Sequence, residues 1–169
     1  MGSLPPLMLG GIPLQLHAGS VELSEQVLGG ETNRRLSRGR LVTMRHWERM
    51  AGTISGAGFT PPGLDGLDFA VHHELRSTKP RSVQSSGTLF NLPADPRPDK
   101  APWCWAYFPN GEWVATASVT AGRVVTATPV PGAVTYQAWF LPVYQVKCTR
   151  PTEGRSGANY NWSLSWEEA

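Results

Sequence analysis

The chain has 169 residues and a formal net charge of +2, and this length suits a single domain over residues 1–169. So mild a charge does not by itself indicate a nucleic-acid or membrane partner. Charged residues make up only 17% of the chain, and its 18 glycines and 15 prolines favour many short strands joined by turns.

The amino-terminal part is apolar over residues 4–16, but it has no basic flank and is broken by prolines and glycines. It therefore predicts neither a signal peptide nor a membrane span. Residues 20–28 alternate in polarity and predict a strand that ends at Gly29 and Gly30. Residues 40–54 fit both a strand and a helical stripe, and we expect a strand that runs into a short turn of helix.

The strongest charge feature is a basic run between these two segments. It contains Arg34, Arg35, Arg38 and Arg40, and Arg45 and Arg49 follow it. Arginine can contact phosphates, but it is also the charged residue most common in protein interfaces. No aromatic residue is interleaved within residues 34–40, and no nucleic-acid motif surrounds them. We therefore expect a subunit interface or a solvated loop, with nucleic-acid contact as the alternative.

Residues 52–68 are rich in glycine and proline and predict a loop, anchored by Leu64 and Leu67. Two carboxylates in it, Asp65 and Asp68, are candidates for calcium binding or for glycoside hydrolysis. The leucines interrupt the alternation that a calcium loop requires. We therefore expect both aspartates to cap turns through backbone N–H groups.

The nearest approach to a metal motif is His72-His73-Glu74, within a strand predicted over residues 72–76. Neighbouring residues on a strand face opposite sides, so only His72 and Glu74 would share a side, and zinc needs three or four converging ligands. The chain also lacks the GxSxG, P-loop and GxGxxG motifs. We expect no catalytic site, no metal and no cofactor.

The middle of the chain predicts one further strand, over residues 83–92. A proline-rich stretch follows over residues 94–102, with Pro96, Pro98 and Pro102. This stretch is the best candidate for a boundary between two sub-layers of the domain.

The second half contains the clearest strand signals. Five runs of alternating or β-branched residues predict strands over residues 103–108, 112–120, 123–129, 133–148 and 160–167. Asn110-Gly111 suits a tight hairpin turn, and Pro142 should bend its strand or place it at a sheet edge. Residues 151–157 predict a polar loop. Strands at this spacing predict an all-β, mainly antiparallel sandwich or barrel, with one short helix at most.

The last predicted strand places Trp162 and Trp166 on one face. Such rings could form a platform for a sugar, but strict alternation is what a buried face requires, so we expect core or subunit contact. The two cysteines, Cys104 and Cys148, fit no metal spacing, and nothing marks the chain as secreted. We expect two reduced, buried thiols, with a single disulfide as the alternative.

Three segments resemble small tail-tip proteins of long-tailed bacteriophages, of the distal tail or upper baseplate type. They are residues 9–14 (LGGIPL, with Ala18-Gly19 after it), 53–68 (TISGAGFTPPGLDGLD) and 159–168 (NYNWSLSWEE). The resemblance implies a β-sandwich related to tail-tube subunits. It also implies a homo-oligomeric ring, commonly a hexamer, between the tail tube and the tail tip, with no enzyme activity.

The expected partners are therefore other copies of the chain, the tail tube and the tail-tip or baseplate proteins, in a virion assembled in the host cytoplasm. No membrane partner and no sequence-specific nucleic acid are expected, although DNA would pass through such a ring. The expected subunit interface includes the basic residues Arg34, Arg35, Arg38 and Arg40. The alternatives are a carbohydrate-binding β-sandwich module or, within the virion, a tail tube or tail completion protein.

Overall fold

The computed structural model describes residues 4–14 and 21–169. These residues form sixteen β-strands and a single 3₁₀ turn, Ser37–Gly39. The strands are β1 Met8–Leu9, β2 Ile12–Pro13, β3 Glu22–Arg35, β4 Leu41–Gly58, β5 His73–Arg76, β6 Arg81–Ser85, β7 Leu89–Asn91, β8 Asp95–Pro96, β9 Trp103–Tyr107, β10 Trp113–Thr116, β11 Ser118–Ala121, β12 Val124–Ala127, β13 Thr135–Phe140, β14 Pro142–Cys148, β15 Thr152–Ser156 and β16 Asn159–Glu168. The fold is all-β and mainly antiparallel, as the sequence predicts.

The chain divides into two compact units. Among the described residues, the first unit contains residues 4–13 and 74–144, and the second contains residue 14, residues 21–73 and residues 145–169. The chain passes between the units within β5 and again within β14. The proline-rich stretch 94–102 lies inside the first unit.

The first unit contains a four-stranded sheet with the order β10-β9-β13-β6 and a three-stranded sheet with the order β11-β12-β7. Alternate residues of β9, β12 and β13 are buried, which is the period of a sheet with one covered face. Small and aromatic side chains form the buried core: Cys104, Ala106, Val125, Ala127, Tyr136, Ala138, Phe140 and Phe90. The predicted Asn110-Gly111 turn joins β9 to β10, and Gly111 adopts the positive φ of 86° that such a turn requires.

A buried arginine holds several loops of the first unit together. Arg97 follows β8 in the proline-rich stretch, and its side chain has no solvent exposure. The guanidinium donates two hydrogen bonds of 2.8 Å to the carboxylate of Asp99. It also donates to the backbone oxygens of Pro6, Arg76 and Ser77, at 3.0, 3.2 and 3.1 Å. An arginine is tolerated in a protein interior only when its charge and its N–H groups are satisfied in this way.

The second unit is built around β16, which pairs with β4 along one side and with β15 and then β14 along the other. β3 pairs with β4 and forms the edge of this sheet. Ile54, Leu164, Val146 and the two tryptophans of β16 are buried.

Two glycines of β4 make room for the indole rings of β16. Gly56 is paired with Trp162 and Gly52 with Trp166. A Cβ at Gly56 would lie 2.7 Å from Nε1 of Trp162, and a Cβ at Gly52 would lie 1.8 Å from the backbone oxygen of Ser24. Because atoms cannot approach so closely, only glycine fits at these positions.

The structure corrects several predictions of local structure. No helix forms within residues 40–54, because residues 41–54 belong to β4 and pair with β3 except at the bulge residue His46. Residues 52–58 belong to the same strand, so the predicted loop begins later, although Leu64 in it is buried as expected. Residues 151–157 are not a loop, because β15 pairs with β16.

Three predicted strands are each two strands. Residues 83–92 contain the end of β6 and all of β7, in different sheets, and residues 112–120 contain β10 and most of β11, also in different sheets. The run over residues 133–148 is interrupted at Leu141, directly before Pro142, as expected of a proline that bends a strand.

Both cysteines are buried and unbonded to each other, which confirms the thiol prediction. Burial raises the pKa of the Cys104 thiol, and a hydrogen bond with Ser118 partly opposes this. Burial likewise raises the pKa of Cys148 against the opposing charge of Lys147. In the residues that the structure describes, no helix is long and apolar enough to cross a membrane.

Candidate functional site

The most unusual element of the second unit is a two-stranded ribbon, residues 27–35 of β3 and 41–49 of β4, closed by the 3₁₀ turn. β16 pairs with β4 only from Ala51 to Gly58. Within the described part of the chain, no third strand pairs with the ribbon. Nine residues per strand extend about 30 Å at the usual rise of a β-strand.

The ribbon presents large apolar side chains to solvent. Five are between 50% and 55% exposed: Val27, Leu36, Leu41, Met44 and Trp47. Residues 41–49 contain no buried side chain, so neither face of this segment is covered by the rest of the described chain. An isolated two-stranded hairpin is marginally stable in water, and a surface of this kind is typical of an element that packs against a partner.

Cross-strand contacts nevertheless give the ribbon a defined register. Trp47 is paired with Gly30, where a Cβ would lie 2.4 Å from the indole Nε1, so the ring covers the glycine. The register then shifts, because Gly30 pairs with Trp47 but Glu31 pairs with Arg45, which leaves His46 as the extra residue of a bulge. Beyond the bulge, the hydroxyl of Thr43 donates to Oδ1 of Asn33 at 2.5 Å, and Arg45 lies 3.8 Å from Glu31.

The basic run lies at the tip of this ribbon. Arg34 and Arg35 end β3, Arg38 lies in the 3₁₀ turn, and Arg40 precedes β4; all four are exposed. Arg38 and Gly39 both have a positive φ, at 77° and 76°, which is uncommon for arginine. Turn hydrogen bonds between the backbone of Leu36 and that of Gly39 and Arg40 hold this conformation. Residues 34–40 contain no acidic side chain, so the tip carries four unbalanced positive charges.

Three of the other predicted candidates, Asp68, His73 and Glu74, make local structural contacts. Oδ1 of Asp68 accepts a hydrogen bond of 2.9 Å from the backbone N–H of Ala70, which confirms a turn cap, and Asp65 is exposed. His73 Nε2 lies 2.8 Å from the backbone oxygen of Asp68, and Glu74 forms an ion pair with Arg76, while His72 is exposed. Across residues 4–14 and 21–169, no three His, Cys, Asp or Glu side chains come together in a way that could hold a metal ion.

The tryptophans outside the ribbon divide into two sets. Trp162 and Trp166 are 3% and 2% exposed, which confirms the core interpretation and excludes them as a sugar platform. The first unit contains an aromatic face that the sequence analysis missed. On β9 the small residues Cys104 and Ala106 point inward, so Trp103 and Trp105 point outward and are only partly covered. The signal was present in the sequence: large aromatic residues alternate there with small ones, and the small ones fill the core.

Known proteins add no identification. No protein-family model matches the chain, and no characterised protein is significantly similar to it in sequence. The likeness to phage tail-tip proteins in the three segments named above therefore stays a prediction.

Proposed function

We propose that this chain is a structural subunit that assembles with copies of itself into a ring, and that the ribbon is the element that joins neighbouring copies. The observation that supports this proposal is the ribbon itself, which is long, apolar in places and open to solvent on both faces and along both outer edges. Proteins that act as monomers protect such edges with charges, bulges or covering strands. The ribbon has charged side chains and one bulge, but no described strand pairs with either of its outer edges.

The apolar side chains of the ribbon favour association. Burying a large apolar side chain contributes about 1.5–3 kcal/mol, so covering the exposed half of five such side chains contributes roughly 4–7 kcal/mol. This is comparable to the lower estimates of the translational and rotational cost of association, about 4–15 kcal/mol. One such contact is therefore weak by itself. In a closed ring every subunit makes two of these contacts, whereas the terminal subunits of an open chain make only one.

The unpaired backbone of the ribbon adds a second type of contact. The outer edges of residues 27–35 and 41–49 present N–H and C=O groups that a neighbouring strand can pair with. When an arm contacts a different surface on the next copy, the interface is head-to-tail, and such interfaces close into rings when the rotation allows. The four arginines of the tip then require an acidic or polar receiving surface, as the prediction of an interface at Arg34, Arg35, Arg38 and Arg40 supposes.

We further propose that the ring is part of a phage tail tip or baseplate and joins the tail tube to the distal tail apparatus, without catalytic activity. This assignment is supported by the all-β fold and by the resemblance of three segments to distal tail proteins. Hexameric order is the expectation that follows from that resemblance.

Light scattering after size exclusion tests the proposal with a matched pair of double variants. M44E/W47E places two charges on the ribbon, and L89E/V119E places the same charges on exposed apolar residues of the first unit. We expect oligomers for the wild type and for L89E/V119E, and a mass near the 18.4 kDa of one chain for M44E/W47E at the same concentration. Circular dichroism checks that both variants retain their strands.

Negative-stain images of the wild type should show rings, whose symmetry gives the subunit number directly. A strictly monomeric wild type at high concentration would contradict the proposal. Equal dissociation of both double variants would show that the ribbon has no special part in assembly. Replacement of the four tip arginines by glutamine should reduce the salt dependence of assembly, because screening then has fewer charges to act on.

A further inference from the structure

The outer face of the β10-β9-β13-β6 sheet is the second surface of the chain with distinctive chemistry. A cleft of about 600 Å³ on this face is lined by four tryptophans, Trp103, Trp105, Trp113 and Trp139. Leu4, Pro80 and Lys100 complete its lining. This volume lies within the range of about 300–1,000 Å³ that is typical of small-molecule sites.

The strand register sets these rings side by side. Trp103 and Trp139 are directly paired on β9 and β13, with ring centroids 6.1 Å apart and planes inclined by 35°. Trp113 is paired with Tyr107 on β10 and β9, with an edge-to-face contact at 5.1 Å between centroids. Lys100 lies over the Trp103 ring at 5.5 Å, at the rim of the cleft. Adjacent indoles fixed by strand pairing form a rigid aromatic surface.

Uncharged polar groups lie between the rings. Gln137 is paired with Trp105 on one side and with Gln84 on the other, and its Nε2 donates to Oγ of Ser82 at 3.0 Å. Together with Thr135, the two glutamines and three aromatic residues line a second hollow of about 320 Å³. Trp113 lines both hollows, so the polar and aromatic parts belong to the same face. The amide oxygen of Gln137 is itself buried and accepts no hydrogen bond from the described residues.

We propose that this face binds a neutral oligosaccharide. A pyranose ring has an apolar C–H face that stacks on indole and hydroxyls that pair with amides and side-chain hydroxyls, and this face supplies both kinds of partner. The strand residues that line the two hollows carry no charge, and Lys100 at the rim is the single charged side chain among the described lining residues, so the face suits a neutral ligand better than a highly charged one. Two adjoining hollows fit several linked sugars better than one.

A fluorescence titration tests this inference with four defined probes: cellohexaose, maltohexaose, laminarihexaose and chitohexaose. We expect at least one of them to change the tryptophan emission of the wild type saturably. The matched variants are Trp113→Ala in the cleft and Trp47→Ala in the ribbon, because the two rings are 47% and 51% exposed. Trp113→Ala should weaken binding about tenfold, the scale of a lost stacking contact with its buried area, and Trp47→Ala should leave it unchanged.

Gln137→Leu gives a second, independent readout, because it keeps the side-chain size but removes the amide. Gln137→Leu should weaken saccharide binding, but saturating saccharide should still change the tryptophan emission as it does in the wild type, because the rings remain in place. Absence of binding to all four probes would overturn the inference. A Trp113→Ala variant that loses self-association while the wild type binds no saccharide would also overturn it, and would show that the face is a contact between copies.

Discussion

Arg97 offers a sharp test of how the first unit is stabilised. Its guanidinium is fully buried, bonds Asp99 through two nitrogens and satisfies the backbone oxygens of Pro6, Arg76 and Ser77. Arg97→Met keeps an apolar stem of similar length but leaves those oxygens and the carboxylate without their donor. The side chain of Asp99 is 36% exposed, so water can replace the donors that its carboxylate loses, and the cost comes mainly from the three backbone oxygens. An unsatisfied group costs about 1–3 kcal/mol, so the three together cost about 3–5 kcal/mol. We expect a loss of that size in the free energy of unfolding.

A second arginine of the same unit provides the control. Arg123 also bonds a carboxylate through two nitrogens, at 2.6 and 2.9 Å from Asp95, but its side chain is 54% exposed. Water replaces the lost bonds there, so Arg123→Met should cost no more than about 1 kcal/mol. Urea denaturation followed by circular dichroism measures both values. Equal losses for the two variants would refute the argument that burial, and not the ion pair alone, makes Arg97 important.

Three further predictions follow from the packing and from the shifted pKa values. Gly52→Ala should destabilise the chain by about 3 kcal/mol, because the new Cβ would lie 1.8 Å from a backbone oxygen of the adjacent strand. Gly154→Ala meets no atom within 4 Å and should stay within about 0.5–1 kcal/mol of the wild type in the same urea titration. Cys104 and Cys148 should not react with a chromogenic disulfide reagent at pH 8 until urea unfolds the chain, since burial raises the pKa of both thiols. The hydrogen bond from its arginine partner lowers the pKa of Asp99. The ionised Asp99 carboxylate therefore contributes fully to the free energy of unfolding above the pKa of the unfolded chain, about 3.9, and this contribution is lost as the pH falls through the lower pKa of the folded chain. This pH dependence of the free energy of unfolding should be weaker in Arg97→Met.

Local patterns were enough to predict much of the fold. The β9–β10 hairpin follows from the Asn110-Gly111 turn between alternating residues, and β16 follows from strict alternation around its tryptophans. Both signals lie within a few residues of the structure that they specify. The all-β class follows because such signals recur along the second half of the chain.

Only the first part of β4 was predicted as a strand, because the strand character of the rest depends on distant partners. In the sequence, Gly52 and Gly56 predict a loop. In the structure they are strand residues at which only glycine fits, because the indole rings of β16 and the β3 backbone occupy the space that a side chain would need. The ribbon half of β4 is exposed on both faces, so it has no buried stripe to produce a period of two. β15 was missed for the same reason, since all five of its residues are exposed.

The aromatic face was missed because the hydrophobicity of a residue does not determine whether its side chain points into the core or toward solvent. Trp103 and Trp105 are more apolar than Cys104 and Ala106, yet the smaller residues form the core and the larger ones face outward. Which face of a strand is covered depends on the volume available in the interior, and that is fixed by other strands.

The ribbon and the aromatic face both expose tryptophan, but their surroundings favour different partners. The ribbon combines apolar side chains with unpaired backbone edges and a basic tip, so its binding groups match another polypeptide that can supply a strand and acidic side chains. The aromatic face lies mostly on β9 and β13, whose backbones are paired on both sides, and it interleaves rings with neutral amides and hydroxyls. It has no backbone edge at its centre, and Lys100 at its rim is the single charged side chain among the described lining residues. Because the two surfaces belong to different compact units, M44E/W47E and Trp113→Ala should separate assembly from saccharide binding, and a variant in either surface that abolished both would contradict this division.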